Sequence, residues 1–291
     1  MKKVLSFDIG GTKIAAALIG EDGSWQSDVV KYATPQTAPE IVDLFKKVIA
    51  EKYAEMNGVA FSTAGAVNLE GTRITSFVGN LPQGYNNTDF CALTDKPVLV
   101  ENDANSAGWA EYALGAAKGC KNSVILTIGT GVGSGIIVDG KLLKGKSGAA
   151  GEMHFPIDSG YKRQCRGCGM YDCFESFASG SGLKVFASEI MGENSTTYDV
   201  IAAKKQGDAK ATETFSVWQN YLIKGMIMLG NVFDPEVIVL SGSMAQFIEY
   251  DKVENAINDA ILTQPLVVKP AKFANDAGML GAAMLLHNKL A

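Results

Sequence analysis

No apolar run in this 291-residue sequence approaches the ~20 residues that a membrane-spanning helix needs. The start, Met1-Lys2-Lys3-Val4-Leu5-Ser6-Phe7-Asp8, has lysines followed by apolar residues, but Asp8 ends that stretch short of a signal-peptide core. Both absences lead to the expectation of a cytoplasmic protein without a membrane partner. Positive charge is also in deficit. With 26 Lys+Arg against 31 Asp+Glu the net charge is -5, so there is no basic footprint for nucleic acid. Low-complexity tracts and Pro-rich linkers are missing, which leaves an ordinary loop, Gly115 to Asn122, as the expected domain boundary. Cysteine is sparse, and a reducing cytosol argues against disulfides among the 5 that exist.

What is present describes a globular protein, 47% hydrophobic and 20% charged, long enough for two domains. Val4 to Asp8 reads as a strand, Gly10-Gly11-Thr12 as a turn, and Ile14 to Ile19 as a second strand closed by the Asp22-Gly23 turn signal. Strand, turn, strand is a β-hairpin. A Walker-type phosphate loop or a dinucleotide fingerprint needs a helix after its glycines, and both are thereby excluded. Helical spacing of Ile41, Leu44, Phe45, Val48 and Ile49 predicts a helix over Ala38 to Asn57. Val59 to Ser62 is a buried strand, Leu69 to Asp95 a polar loop, and Pro97 to Val100 a short strand running into Glu101-Asn102-Asp103 and a helix. Ser123 to Gly140 repeats the opening pattern, with Gly129-Thr130-Gly131 as its turn, which implies two related domains around a cleft. Long helices from Ser176, a last buried strand at Val237 to Leu240, and a small-residue helix from Asp276 complete the chain.

Three groups carry the chemistry. Each glycine turn presents backbone N-H groups that suit anionic oxygens, with Thr12, Thr130 and Lys13 adding donors. Either turn alone is equally an ordinary tight hairpin. Asp103 alone reads either as a helix N-cap or as a base, and a carboxylate at the carboxyl end of a buried strand is where open α/β sheets place ligands. Asp8 reads either as a turn cap or as the group that holds Mg2+ through water. Together they favour phosphoryl transfer, which asks the protein chiefly for positioning and charge compensation. Cys165, Cys168 and Cys173 with His154 have the composition of a closed tetrahedral zinc site, whereas Cys91 and Cys120 read as incidental thiols.

Asp8-Ile9-Gly10-Gly11-Thr12-Lys13, Glu101-Asn102-Asp103-Ala104-Asn105, Ile128-Gly129-Thr130-Gly131-Val132-Gly133, Gly151-Glu152, Cys168-Gly169 through Cys173-Phe174-Glu175, and Asp276-Ala277-Gly278 occur in an order that resembles the ROK family of bacterial sugar kinases and repressors. The resemblance runs over the whole chain. It implies a two-domain α/β fold, actin-like or hexokinase-like (ribonuclease H-like), with an interdomain cleft. The domains would be 1-117 and 118-277, with a zinc segment at 154-173 and a final helix, 278-291, packed back on the first domain. Repressor members carry an N-terminal helix-turn-helix, and a chain opening on the phosphate hairpin is expected to be a kinase. A non-catalytic sugar or nucleotide sensor is the alternative.

By resemblance, Asp103 matches the catalytic base, and Gly65, Asn68, Asn80, Asn102, Glu152, His154 and Glu175 match positions lining the sugar. Asp8, Gly10, Gly11, Thr12, Lys13, Thr130, Gly131 and Gly133 match ATP positions, with Gly242 near the adenosine. The implied cofactors are ATP, Mg2+ and structural Zn2+. The implied substrate is a hexose or N-acetylhexosamine, and the implied assembly a homodimer or homotetramer. Near the adenosine Ser243 replaces one of the family's usual paired glycines, and the zinc segment departs from the pattern twice. Glu152-Met153-His154 lacks the family's glycine before the histidine, and Cys165-Arg166-Gly167-Cys168 is one residue longer than the family's spacing.

Overall fold

The computed structural model describes residues 1-76 and 78-291 and contains two five-stranded sheets that repeat one topology. The first is built from β1 (Lys3–Ile9), β2 (Lys13–Gly20), β3 (Val30–Ala33), β4 (Gly58–Thr63) and β5 (Val98–Asn102), with α1 (Ala38–Lys52) before β4 and α2 (Asp103–Ala113) after β5. The second uses β6 (Ser123–Ile128), β7 (Val132–Val138) and β8 (Lys141–Leu142), then α3 (Phe174–Ala178), α4 (Gly180–Ile190), α5 (Thr197–Lys205) and α6 (Ala209–Phe233). It continues with β9 (Val237–Ser241), α7 (Tyr250–Asn258) and β10 (Val267–Pro270), and the chain closes on α8 (Ala277–Leu290). The orders β3-β2-β1-β4-β5 and β8-β7-β6-β9-β10 correspond strand for strand. This is the two-domain α/β, actin-like arrangement that the resemblance implies.

Both glycine turns join antiparallel strands, Ile9 opposite Ile14 and Ile128 opposite Val132. Parallel strands β4 and β9 lie in the sheet interiors and are buried at every residue, which explains their continuous apolar runs. A capping box between Thr37 and Glu40 starts α1. Its inward face packs Phe45 against Phe7, ring centroids 5.2 Å apart, while Phe7 stacks on Phe61 at 5.0 Å. Each such pair adds roughly 0.5–1.5 kcal/mol beyond its buried area.

Three expectations are corrected. The helix from Ala38 ends at Lys52, short of Asn57. The segment read as a polar loop, Leu69 to Asp95, buries Ile74, Val78, Leu81, Tyr85 and Phe90 and contains two short 3-10 turns, with Phe77 outside the described residues. Val237 to Leu240 is not the last strand, because β10 pairs in parallel with it at the sheet edge, where Pro270 is tolerated.

Helices α2 and α8 pack on each other between the sheets. α8 lies against β1 and β4 of the first sheet and α2 against β6 and β7 of the second. Glycine permits the approach, since a Cβ at Gly281 would lie 1.6 Å from Ser106 O. Where the chain passes between the sheets, buried Glu111 of α2 gathers three backbone donors, Ala116 N at 2.8 Å, Lys272 N at 2.9 Å and Phe273 N at 2.8 Å. Among the described residues no helix is long and apolar enough to cross a membrane.

Candidate active site

Strand β5 delivers Asn102 and Asp103 to the space between the two sheets. Asn102 is the N-cap of α2: its Oδ1 accepts from Asn105 N at 3.0 Å, and its Nδ2 donates to Gly65 O at 3.1 Å. Asp103 is therefore the first helical residue, and its Oδ1 accepts from Ala104 N at 2.8 Å. The carboxylate faces a cavity of about 190 Å3 lined by Gly65, Ala66, Asn102, Asp103, Ser134, and the loop from Gly148 to Glu152. That is below the ~300–1,000 Å3 of drug-sized sites and suits one small polar molecule. A larger depression of about 660 Å3, around Thr72 to Cys91, contains none of the expected site residues.

Asp103 is exposed to this cavity yet walled by protein on most sides. The walls dominate: burial pushes its carboxyl above the usual range, against the bonds from Ala104 and Asn102. Asp8, at the end of β1, is pushed up to about 6 by burial and then by the charges of Asp103 and Asp276, opposed by Ser62, whose hydroxyl donates to Oδ1 at 3.0 Å, and by Lys13. Asp103 and Asp276 are thus close enough for their charges to act on the Asp8 carboxyl, and a hard divalent cation would relieve that repulsion. Sequence reasoning gave Asp276 no role of its own, because only the packing of α8 brings it to Asp8.

The glycine turns flank this centre. Gly10 N donates to Lys13 O at 3.0 Å, while Gly11, Thr12 and Lys13 remain exposed. Asn80 meets this turn most closely through its backbone, since a Cβ at Gly11 would lie 2.4 Å from Asn80 O. In the second turn Gly129 N donates to Gly131 O at 3.0 Å, Thr130 is exposed, and a Cβ at Gly133 would press on Ala104 at 2.9 Å. Gly242 sits at the same strand end, at φ +88 and against Ile128 O.

Not every expected residue lines the cavity. Asn68 turns inward on its own loop, accepting from Thr72 N and Arg73 N at 2.9 and 3.0 Å and donating to Thr72 Oγ1 at 2.9 Å. Glu175 accepts from Val132 N at 3.1 Å and so joins the second glycine turn to the cysteine cluster. In that cluster His154, Cys165, Cys168 and Cys173 bring their ligand atoms within 4.8 Å of one another. His154 Nδ1 lies 3.4 Å from Cys173 Sγ, and Nε2 lies 3.9 Å from Glu152 Oε2, on the cavity side. The two departures from the family spacing thus leave the donor set intact: Met153 is buried, and Gly169 N bonds to Cys165 O at 3.0 Å to close the longer knuckle. Burial raises the Cys173 thiol to about 12. Burial also opposes ionisation of Cys165, but bonds from the Cys168 backbone and Ser176 hold that thiol down at about 7. Three sulfurs and one imidazole fit a structural zinc ion.

The sequence profile of the ROK family matches residues 4–289. The chain is 31% identical to a glucokinase of Streptomyces coelicolor, with 98% of each covered. It is 32% identical to an N-acetylmannosamine kinase of Shigella boydii, again over 98% of each. A ROK family glucokinase from Streptomyces griseus, solved with glucose and AMPPNP, superposes with a TM-score of 0.77 at 30% identity, over 97% of this chain and 98% of that one. The chain belongs to the ROK family.

Proposed function

We propose that this chain is an ATP-dependent sugar kinase that moves the γ-phosphoryl group to a hydroxyl, the 6-hydroxyl, of a hexose or N-acetylhexosamine, with Asp103 as general base. The observation that carries this is the division of labour at the start of α2. Asn102 supplies the cap, which leaves the Asp103 carboxylate facing the cavity, with Gly133 of the second glycine turn on its wall. Its raised pKa suits a group that must take a proton from an alcohol in the transition state. The names of the relatives, glucokinase and N-acetylmannosamine kinase, set the substrate range.

In this reading Gly65, Asn102 and Glu152 orient the sugar, and His154 meets it through Nε2 while Nδ1 faces the cysteines. Asn68 shapes the loop beside the sugar, and Glu175 fixes the second turn. The turns at Gly10 to Lys13 and Thr130 to Gly133 hold phosphate oxygens through N-H groups, hydroxyls and the Lys13 charge, with Gly242 close to the adenosine. Asp8 would hold Mg2+, which offsets negative charge on the phosphates when bound. His154, Cys165, Cys168 and Cys173 would hold zinc, whose contribution is to fold the loop and aim the imidazole. A coupled ADP-release assay over glucose, mannose, fructose, N-acetylmannosamine and N-acetylglucosamine tests the proposal. Turnover on at least one is expected, and none on any would refute it.

A further inference from the structure

Glu101 and Lys144 join parts of the chain that the kinase reading places on opposite sides of the sugar. Lys144 Nζ lies 2.9 Å from Glu101 Oε2, with the two side chains 19% and 2% exposed. It also reaches Asn68 O at 3.4 Å. The other Glu101 oxygen accepts from Asn102 N at 3.0 Å and Asn105 Nδ2 at 3.1 Å. A single buried carboxylate thus holds the backbone entering Asp103, the first turn of α2, and a lysine from the loop that ends at Glu152.

The same loop is seated twice more. Gly148, at φ +84, lies so close to Val67, in the loop after β4, that a Cβ would fall 1.7 Å from its carbonyl oxygen. Beyond it, Ser134 Oγ donates to Gly151 O at 2.6 Å. Without Lys144 the loop would keep these packing contacts but lose its charge-specific registration, and Glu101 would remain buried without its ion-pair partner, leaving Lys289, whose ammonium feels the Glu101 charge, as a neighbouring cation. A buried ion pair is weak evidence for stability, since apolar residues of similar size often serve as well, but it distinguishes one arrangement of its two elements from others.

We propose that Lys144 is a positioning residue: its ion pair with Glu101 latches the Gly148–Glu152 loop against the β5 end and so sets the affinity for the sugar. The proposal rests on the sugar-kinase reading above. It is tested with Lys144→Met, Lys144→Arg, Glu101→Gln and the Lys144→Met/Glu101→Gln double variant of the full chain, measuring KM for sugar and for ATP separately. Lys144→Met is expected to raise the sugar KM about tenfold or more, with the ATP KM within about twofold and Lys144→Arg largely restored. The double variant should be no worse than the worse single one, as for two groups acting through one contact. A sugar KM unchanged in both Lys144→Met and Glu101→Gln overturns the proposal, whatever happens to Tm. If the wild type turns over no sugar, the kinase reading fails by itself, and amide hydrogen exchange of the ligand-free proteins then decides the latch. Faster exchange over the loop from Gly148 to Glu152 in Lys144→Met supports it, and unchanged exchange there overturns it.

Discussion

The Asn102 side chain accepts the Asn105 N-H at 3.0 Å, and this bond assigns the two adjacent polar residues at the start of α2 to different tasks. A cap needs an oxygen turned back over the first helical turn, whereas a base needs one turned outward. One side chain meets both needs poorly. Asn102→Ala is expected to lower stability by about 1 kcal/mol through the lost cap. Asn102→Asp should recover most of that while leaving Gly65 O without its donor. Chemical denaturation of the two variants checks the order.

Asp8 should act against stability at neutral pH. Its folded-state pKa of about 6 lies above the ordinary aspartate value of 3.8, so the folded chain binds the proton more tightly than the unfolded one. Stability attributable to this group is therefore present below about pH 4 and lost as pH rises through about 6. In metal-free buffer at pH 7.5, Asp8→Asn is expected to melt at a higher temperature than the wild type while losing most activity. A lower melting temperature would show that Asp8 is satisfied in the folded state.

Activity should fall on the acid side at a pH above the ordinary carboxylate range. Burial raises Asp103 and Asp8 in the same direction, and each must be ionised for its task. A profile of kcat/KM from pH 5 to pH 8 is expected to drop toward the acid end with a midpoint near or above that of Asp8. A profile flat through pH 5 contradicts the assignment.

Zinc at the His154 cluster should be stoichiometric and structural. Metal analysis of purified protein is expected to find about one zinc per chain, and Cys173→Ser to lose it together with several degrees of Tm. Sugar affinity should fall as well, because the imidazole faces the cysteines with one nitrogen and Glu152 with the other. Zinc-free protein with full activity would contradict this.

Glu111 should be a point of high sensitivity far from the chemistry. Glu111→Ala leaves three part-buried backbone donors without their acceptor, at no more than roughly 1–3 kcal/mol each. Glu111→Gln keeps one acceptor oxygen and should be milder. Thermal denaturation separates the two.

Local chemistry made much of this architecture legible. Glycines between apolar runs marked both hairpins, and continuous apolar stretches marked the central strands β4 and β9. Helical spacing from Ile41 to Ile49 marked α1, whose start the capping box at Thr37 then fixes. What stayed hidden depends on tertiary contact. Phe90 and Tyr85 sit among turn residues, and nothing local shows that they reach the core. Val267 to Pro270 is short and mostly exposed, with only the pairing to β9 making it a strand. At the site, Asn102 and Asp103 offer the same capping chemistry in sequence, so which one faces outward was fixed only by the geometry. Nothing in the sequence ties Glu101 to its partner Lys144, which lies too far along the chain for any spacing rule to connect them.

The most direct measurement is turnover by Asp103→Asn beside the wild type on the best sugar of the panel. Asparagine keeps the size of the side chain and an oxygen for Ala104 N, but it cannot accept the proton. The account predicts that kcat falls at least about a hundredfold while the sugar KM stays within about tenfold. A variant that phosphorylates the sugar at a near-normal rate would remove Asp103 from the role of base.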